Sequence, residues 1–350
     1  MRRLTLILSD LYLPEEAASA DAVYAPLPLP GLEWLLRFAR ESTPLADWRH
    51  WLTEELGLDA FDGTPPAQIA ARARLPPDVA ASAWFATPVD LSARLDHVRL
   101  VDRGLLRVVP GDQPAWCADF ARHFGSDCQL HPGNSRGFLL SGLSLQTATT
   151  DPARLLDADV APALPQGRDA LALRRLGAEI EMWLHAAALN EARERARVPR
   201  ISALWLWGGG LRGGELRDGS PASTDAITST GREPVALYGD DPFLAGVAAV
   251  ASHVAHATMP ASLRSLDGAA PHHVVEFAPM TGESRESLAA LDDNWFLPAR
   301  TALAAGVLSS LEIIANDCCF RIAGRAGWRV WRARRGWLEN LARSAHFRKA

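Results

Sequence analysis

The sequence predicts an α/β protein whose main sheet is mostly parallel and carries helices on both faces. Short apolar runs that are typical of buried strands alternate along the chain with amphipathic helical segments. The composition, 48% hydrophobic and 22% charged over 350 residues, is that of a globular protein with a large core. We expect no membrane-spanning segment, because no apolar run reaches the roughly 18–20 residues that a spanning helix needs.

The chain begins with a predicted strand followed by two predicted helices. Residues 4–8 form a short apolar run of the buried-strand type, which ends before Asp10. After a proline-rich loop, apolar residues recur with helical spacing over 32–39 and predict the first helix. A second amphipathic helix is predicted over 48–56, and Gly57 ends it.

The middle of the chain interrupts this alternation. Residues 102–104, Asp-Arg-Gly, predict the turn of a hairpin, and a small inserted α+β segment is therefore expected over 85–165. The elements predicted there are strands at 97–101, 105–109 and 137–140 and a helix at 114–124.

The alternation of helices and strands resumes after this segment. A long helix begins near Asp169, and the apolar strand at 201–207 ends in Gly208, Gly209 and Gly210. Further on, the pattern predicts helices at 243–257 and 288–305 and strands at 273–278 and 311–315. We expect Ile7 and the strand at 203–207 to lie on neighbouring or near-neighbouring parallel strands, which would bring Asp10, Gly208 and Asp317 to one edge of the sheet.

The predicted organisation is a core of residues 1–84 and 166–327, the inserted segment, and a basic tail over 328–350. The net charge is −5, yet residues 321–350 carry nine basic side chains against one Glu. Arginines alternate there with Trp328, Trp331 and Trp337, a pattern that fits either nucleic-acid or anionic-surface binding, or packing against the acidic remainder. We favour packing and keep nucleic acid as a possible partner.

The four cysteines form no disulfide framework and show no CxxC spacing, so a reducing cytoplasm is the expected location. Cys318 and Cys319 follow a predicted strand, and we interpret them as buried apolar residues rather than nucleophiles. His253 and His256 have a spacing that would bring two imidazoles together on a helix, but no motif supplies further zinc ligands.

Four polar or glycine-rich segments follow predicted strands, where open α/β sheets bind ligands. Asp10 and Asp317 are candidate metal ligands, with Glu283 as the further carboxylate donor; the alternative is that both Asp residues cap loops. The three glycines Gly208–Gly210 fit either a phosphate-binding loop or a sharp turn. His131 and Arg136, in a polar loop before a strand, are the candidate catalytic residues, and Arg136 is also a candidate ligand contact.

Taken together, several stretches resemble the archaeal-type cofactor-independent phosphoglycerate mutases of the alkaline phosphatase superfamily. Residues 185–210 are similar to that family's helix with Leu-Asn and Arg, short break and Trp-rich strand ending in glycines. Residues 7–10 resemble its first strand with a metal-ligating Asp, and residues 29–36 and 241–247 resemble two of its helix starts. The stretches at 86–91 and 135–140 also resemble the RpfE-type regulatory proteins of bacteria. The resemblance implies an alkaline-phosphatase-like fold.

The departures from the mutase pattern decide the functional prediction. The family's Gly-Ser-Asp nucleophile segment has no counterpart in residues 40–60, its Asp…His pair aligns with Met280 and Glu283 or Ser284, and its Asp-His pair aligns with Asp317 and Cys318. Two metals for phosphoryl transfer could not be held by this set. We therefore predict a non-catalytic relative that acts by binding, in regulation.

The alternative is a metal-dependent phosphomutase or phosphatase with an active site rebuilt from Asp10, His131, Arg136, Glu283 and Asp317. For the non-catalytic protein no cofactor is expected beyond a single weakly bound Mg²⁺ or Mn²⁺. The expected partner is a phosphorylated or anionic small molecule, or a regulatory protein.

Overall fold

The computed structural model describes residues 2–13, 27–210, 232–266, 270–281, 284–324 and 332–346. Within these residues the strands are β1 (Arg2–Leu8), β2 (Glu41–Pro44), β3 (Trp84–Ala93), β4 (Val98–Leu105), β5 (Gln129–Asn134), β6 (Gly137–Ser141), β7 (Ala158–Asp159), β8 (Ala203–Trp207), β9 (Val235–Tyr238), β10 (Val254–Ala257), β11 (His272–Phe277), β12 (Leu308–Ala315) and β13 (Cys318–Ala323). The α-helices are α1 (Pro30–Phe38), α2 (Trp48–Glu55), α3 (Pro66–Ala71), α4 (Pro77–Ala80), α5 (Gln113–Phe124), α6 (Ala170–Ala186), α7 (Ala188–Arg195), α8 (Pro242–Val250), α9 (Ser284–Leu291), α10 (Leu297–Ala304) and α11 (Trp337–His346). A π-helical turn, Asp292–Phe296, joins α9 to α10.

The chain divides into two compact units. The first unit consists of residues 1–56, 228–239 and 252–350, and the second of residues 57–227 and 240–251. The segment 85–165, in which the sequence shows hairpin-like strands, lies within the second unit.

The first unit contains a seven-stranded sheet in the order β10-β9-β11-β1-β12-β13-β2. The five strands from β10 to β12 are parallel to one another, and β13 and β2 continue the sheet in antiparallel pairing. Apolar side chains of the central strands, such as Leu6, Val274 and Leu311, are fully buried. The prediction of a mixed α/β protein is confirmed, and this sheet is the mostly parallel one.

The second unit contains a separate antiparallel sheet in the order β5-β6-β3-β4-β7, with β8 paired to β3. Its core is aromatic: Trp183 of α6 packs edge-on against Trp116 and Phe120 of α5, with ring centroids 5.9 and 5.3 Å apart. Burial of these rings and of Trp84 stabilises the unit.

The prediction that the strand at 203–207 lies next to Ile7 in a parallel sheet is wrong. The strand exists as β8, but it pairs antiparallel with β3 in the sheet of the second unit. A continuous apolar run shows that a strand is buried, whereas its partner is set by contacts far away in sequence. Gly208 therefore follows a strand of the antiparallel sheet, whereas Asp10 follows β1 of the mostly parallel sheet.

Two further local predictions are wrong. The hairpin turn expected at 102–104 lies inside the single strand β4, whose pairing with β3 shifts register between Val89 and Leu91. The helix expected over 243–257 stops at Val250, and residues 254–257 form β10, which pairs parallel with β9. His253 and His256 therefore do not share a helix face.

In the part of the chain that the structure describes, none of the helices has both the length and the apolar character required to cross a bilayer.

Candidate functional site

Asp10 lies at the carboxyl end of the central strand β1, the place where the sequence predicts a metal ligand. Its side chain is buried, with 4% of the residue exposed. One oxygen, Oδ2, accepts hydrogen bonds from the backbone N–H of Met280 at 3.0 Å, from that of Thr281 at 2.8 Å and from the Thr281 hydroxyl at 2.8 Å. Oδ1 lies 3.1 Å from the Met280 nitrogen.

The Asp10 carboxylate therefore binds the segment that follows the neighbouring parallel strand β11. Charge-assisted hydrogen bonds of this kind are among the stronger ones in proteins, and here they hold the loop at 280–281 against the end of β1. An Asp that accepts from two backbone N–H groups and a hydroxyl acts as a structural cap. The capping interpretation of Asp10 fits this geometry.

Asp317 lies at the same edge of the sheet, in the two-residue turn that connects β12 to β13. Asn316 and Asp317 have φ values of +49° and +55°, the left-handed conformation that a tight hairpin turn of type I′ requires and that Asn and Asp tolerate. Two hydrogen bonds from other segments hold the turn. Leu13 donates its N–H to the Asn316 Oδ1 at 3.1 Å, and Leu45 donates its N–H to the Asp317 carbonyl at 2.8 Å. The backbone conformation explains why Asp occupies this position.

The side chains beside Asp10 and Asp317 offer few metal donors. Met280 is buried and donates its backbone N–H to Asp10. Cys318 is buried beside the turn, and burial raises the pKa of the neighbouring Cys319 thiol to about 12. Across the described residues no three His, Cys, Asp or Glu side chains cluster as a metal site would require, and Glu283 lies outside the described residues.

Gly208, Gly209 and Gly210 pack against aromatic rings within the second unit. A Cβ on Gly208 would lie 2.8 Å from Cδ2 of Phe85, and a Cβ on Gly210 would lie 2.8 Å from the Leu145 carbonyl oxygen. Gly208 also donates its N–H to the Thr149 hydroxyl at 3.2 Å. Close packing thus accounts for glycine here, and the role of these residues in ligand binding stays a prediction.

His131 and Arg136 lie on and beside the β5–β6 hairpin of the second unit. Nε2 of His131 lies 2.8 Å from the Ser141 hydroxyl, and partial burial lowers the pKa of this histidine. Arg136 lies 3.9 Å from the carboxylate of Asp241, which also caps α8 by accepting the N–H of Phe243. Both side chains are engaged within the unit, and their predicted catalytic role is not tested by this geometry.

A set of hydrogen-bonded polar side chains in the first unit was not predicted from the sequence. Across three adjacent strands the Thr5 hydroxyl contacts Nε2 of His272 at 3.1 Å and Glu312 at 3.2 Å, and Glu312 pairs with Arg321 of β13 at 2.8 Å. On the same face Ser9 donates a hydrogen bond to the buried Glu276. The available signal was pairs of polar residues four positions apart, and therefore on one face, in mostly apolar runs: Thr5 and Ser9 in one, His272 and Glu276 in the other.

No protein-family model matches this chain, and no curated protein matches its sequence. Among solved structures it is similar to the cofactor-independent phosphoglycerate mutase from Thermoplasma acidophilum, at 13% identity and a TM-score of 0.39, over 93% of this chain and 90% of that one. It is also similar to the PH0037 protein from Pyrococcus horikoshii, at 13% identity and a TM-score of 0.42, over 92% and 87% of the two chains.

Proposed function

We propose that this chain is a non-catalytic binding or regulatory protein, related to the cofactor-independent phosphoglycerate mutases and to the RpfE-type regulatory proteins that its sequence resembles. The observation that carries the proposal is the hydrogen bonding of the Asp10 side chain. Its carboxylate accepts hydrogen bonds from the backbone of Met280 and Thr281 and from the Thr281 hydroxyl, which supports a structural role for the Asp that resembles the mutases' metal ligand.

Ligand chemistry supports the same conclusion. In-line phosphoryl transfer on two metals needs several carboxylate and imidazole donors around the ions together with a nucleophile. The aligned positions here offer Met280 and Cys318, and residues 40–60 contain no Gly-Ser-Asp segment. We expect at most a single weakly bound Mg²⁺ or Mn²⁺, held by Asp10 and Asp317 at the strand ends.

The proposed ligand is a phosphorylated or anionic small molecule, or a regulatory protein, and the proposed location is the cytoplasm. Arg136 and Gly208–Gly210 remain the proposed ligand contacts in the second unit. An alkaline-phosphatase-like arrangement of the core belongs to the same proposal and follows from the sequence resemblance.

The test is an assay of the purified chain for phosphoglycerate interconversion and for hydrolysis of a panel of phosphomonoesters, in excess Mn²⁺ and in Mg²⁺. We expect no metal-dependent turnover above a no-protein control. We also expect Asp10→Ala to lower the free energy of unfolding by about 3 kcal/mol, because two backbone N–H groups and a hydroxyl lose their acceptor. The matched control is Asp293→Ala, which removes an exposed carboxylate from the same unit.

Metal-dependent turnover that is abolished by Asp10→Asn and retained by Asp293→Ala would contradict the proposal. It would favour instead a phosphatase or mutase with a rebuilt site. Denaturant unfolding of each variant separates loss of activity from loss of folding, because the two Asp10 variants should remain folded at low temperature.

A further inference from the structure

A cavity of about 890 Å³ lies in the first unit, at the amino ends of the parallel strands. Asp10 lies at the opposite, carboxyl ends. It is lined by the beginnings of three parallel strands, through Arg2 of β1, His273 of β11 and Leu308 of β12, and by the last turns of α10. Parallel strands begin at one edge of a sheet and end at the other, so this cavity is separate from the strand-end site discussed above.

The charge of the cavity is strongly positive. Arg2, Arg264 and Arg300 line it, and among its described lining residues Asp293 is the sole carboxylate. Within the described part of the chain, none of the three guanidinium groups forms an ion pair, although Arg300 lies over the ring of Trp34 at 5.2 Å. The described lining thus carries three guanidinium groups against one carboxylate, and this excess of positive charge would attract a bound anion.

The rest of the lining is mostly apolar. Leu4 and Leu308 are buried at the strand beginnings, and Leu297 and the 58% exposed Val307 form part of the wall. An apolar wall with a few polar groups at fixed places is the usual make-up of a small-molecule site, and a volume of several hundred Å³ is in the usual range.

We propose that this cavity binds a small organic anion, with a carboxylate or phosphate group held by Arg264, Arg300 and Arg2 and an apolar body held against Leu297 and Val307. Arginine suits this role because its planar fork of donors matches the oxygens of carboxylate and phosphate. An apolar body adds affinity because it removes the leucine and valine wall from water, which an inorganic anion does not do. Binding here does not depend on whether the strand-end site is catalytic.

The two parts of the proposed ligand make separate contributions that can be measured. The arginine side chains are partly or fully exposed, so the ionic contribution should weaken as salt screens it. Removing one charged hydrogen-bond donor should weaken binding by about tenfold. The apolar contribution should persist at high salt and grow with chain length of the ligand.

The experiment is calorimetric titration of the full chain with octanoate and with octyl phosphate, compared with 1-octanol, acetate and inorganic phosphate. Octanoate or octyl phosphate should bind with one-site stoichiometry and a dissociation constant of about 1 mM or lower, and the three partial probes should bind at least about tenfold more weakly. A preference between octanoate and octyl phosphate identifies the head group.

The variants are Arg264→Gln, Arg300→Gln and the cavity-filling Ala304→Phe, with Arg334→Gln as the matched control. Arg334 is an exposed arginine of the same unit that does not line the cavity. The three cavity variants should lose affinity by about tenfold or more while Arg334→Gln binds like the wild type. Thermal melting of each variant shows that it is folded.

Absence of saturable binding by both amphipathic anions, or equal weakening by Arg264→Gln and Arg334→Gln, would overturn the assignment. These outcomes are independent of the phosphatase assay. An inactive protein whose cavity does not bind these anions would refute this inference alone, and an active one whose cavity does bind them would refute only the proposed function.

Discussion

His272 is a buried titratable residue at the start of β11, hydrogen-bonded to Thr5 of the neighbouring strand. Burial lowers its pKa to about 4, with smaller contributions from the nearby positive charge of Arg3 and from His273. In the unfolded chain a histidine has a pKa of about 6.5. At pH values between these two pKa values, His272 is protonated in the unfolded state and neutral in the folded state.

We predict that this histidine makes stability depend on pH between about 6.5 and 4. The contribution of His272 to the free energy of unfolding is complete above pH 6.5 and is lost as the pH falls through this window. It changes no further below about pH 4. His272→Gln should make the free energy of unfolding less steep in this window, by up to about 1.4 kcal/mol per pH unit.

Urea denaturation at several pH values checks this prediction, with His256→Gln as the control because His256 is exposed on β10 of the same sheet. The carboxylates that also titrate in this range are common to all three proteins and cancel in the comparison. Parallel curves for His272→Gln and the wild type would show that His272 is not the titrating group.

The beginning of α1 is capped by a residue that is distant in sequence. Leu29, the residue before the helix, supplies no side-chain cap; instead Asp292 of the π-helical turn accepts the N–H groups of Gly31 at 3.0 Å and Leu32 at 2.8 Å. The carboxylate is buried, and burial raises its pKa although the two N–H groups partly oppose that shift. The contact also explains Gly31, where a Cβ would lie 2.7 Å from the Leu297 nitrogen.

We expect Asp292→Ala to destabilise the first unit by about 2 kcal/mol, because two buried N–H groups at a helix start lose their acceptor. Asp292→Asn should recover part of this loss, since the amide oxygen still accepts. The exposed neighbour Asp293, changed to Ala, should shift the free energy of unfolding by no more than about 0.5 kcal/mol. Equal effects of Asp292→Ala and Asp293→Ala in chemical denaturation would contradict the capping role.

This cap illustrates what sequence patterns can predict and what they miss. Apolar periodicity was sufficient for β1, α1 and α2, because those signals are local. The same reasoning identified β8 but placed it in the wrong sheet, since its partner β3 lies more than one hundred residues earlier. No local pattern points from Asp292 to Gly31.

The candidate site shows the same limit. The position of Asp10 after β1 was predictable, and so was its place at the same sheet edge as Asp317, because both follow strands of buried type. It was not predictable that Thr281 and the backbone of Met280 donate hydrogen bonds to the Asp10 carboxylate, because loop conformations of this kind leave no periodic signal.

The basic C-terminal region is partly incorporated into the first unit. Trp337 is 1% exposed and donates its ring N–H to the Leu27 carbonyl at 3.1 Å. Arg332 donates to the carbonyls of Arg37 and Ala39 at the end of α1, and Leu341 of α11 is fully buried. Trp328 and Trp331, for which the sequence predicted anchoring, lie outside the described residues.

We predict that deleting residues 332–350 lowers the melting temperature by about 6 °C or more. The deletion removes a fully buried tryptophan, whose truncation alone typically costs about 3–5 kcal/mol, together with the apolar contacts of α11. Differential scanning calorimetry of the full and shortened chains gives the comparison. A chain ending at residue 346 serves as the control, because it keeps α11 and loses only residues 347–350, which include two basic side chains.

The same three chains distinguish packing from nucleic-acid binding. If the region serves to stabilise the fold, DNA affinity should be weak in all of them, and its dependence on salt should be shallow. An unchanged melting temperature after deletion, combined with loss of a steeply salt-dependent affinity for DNA, would show instead that the region is a nucleic-acid-binding arm. The buried positions of Trp337 and Leu341 lead us to expect the stability loss.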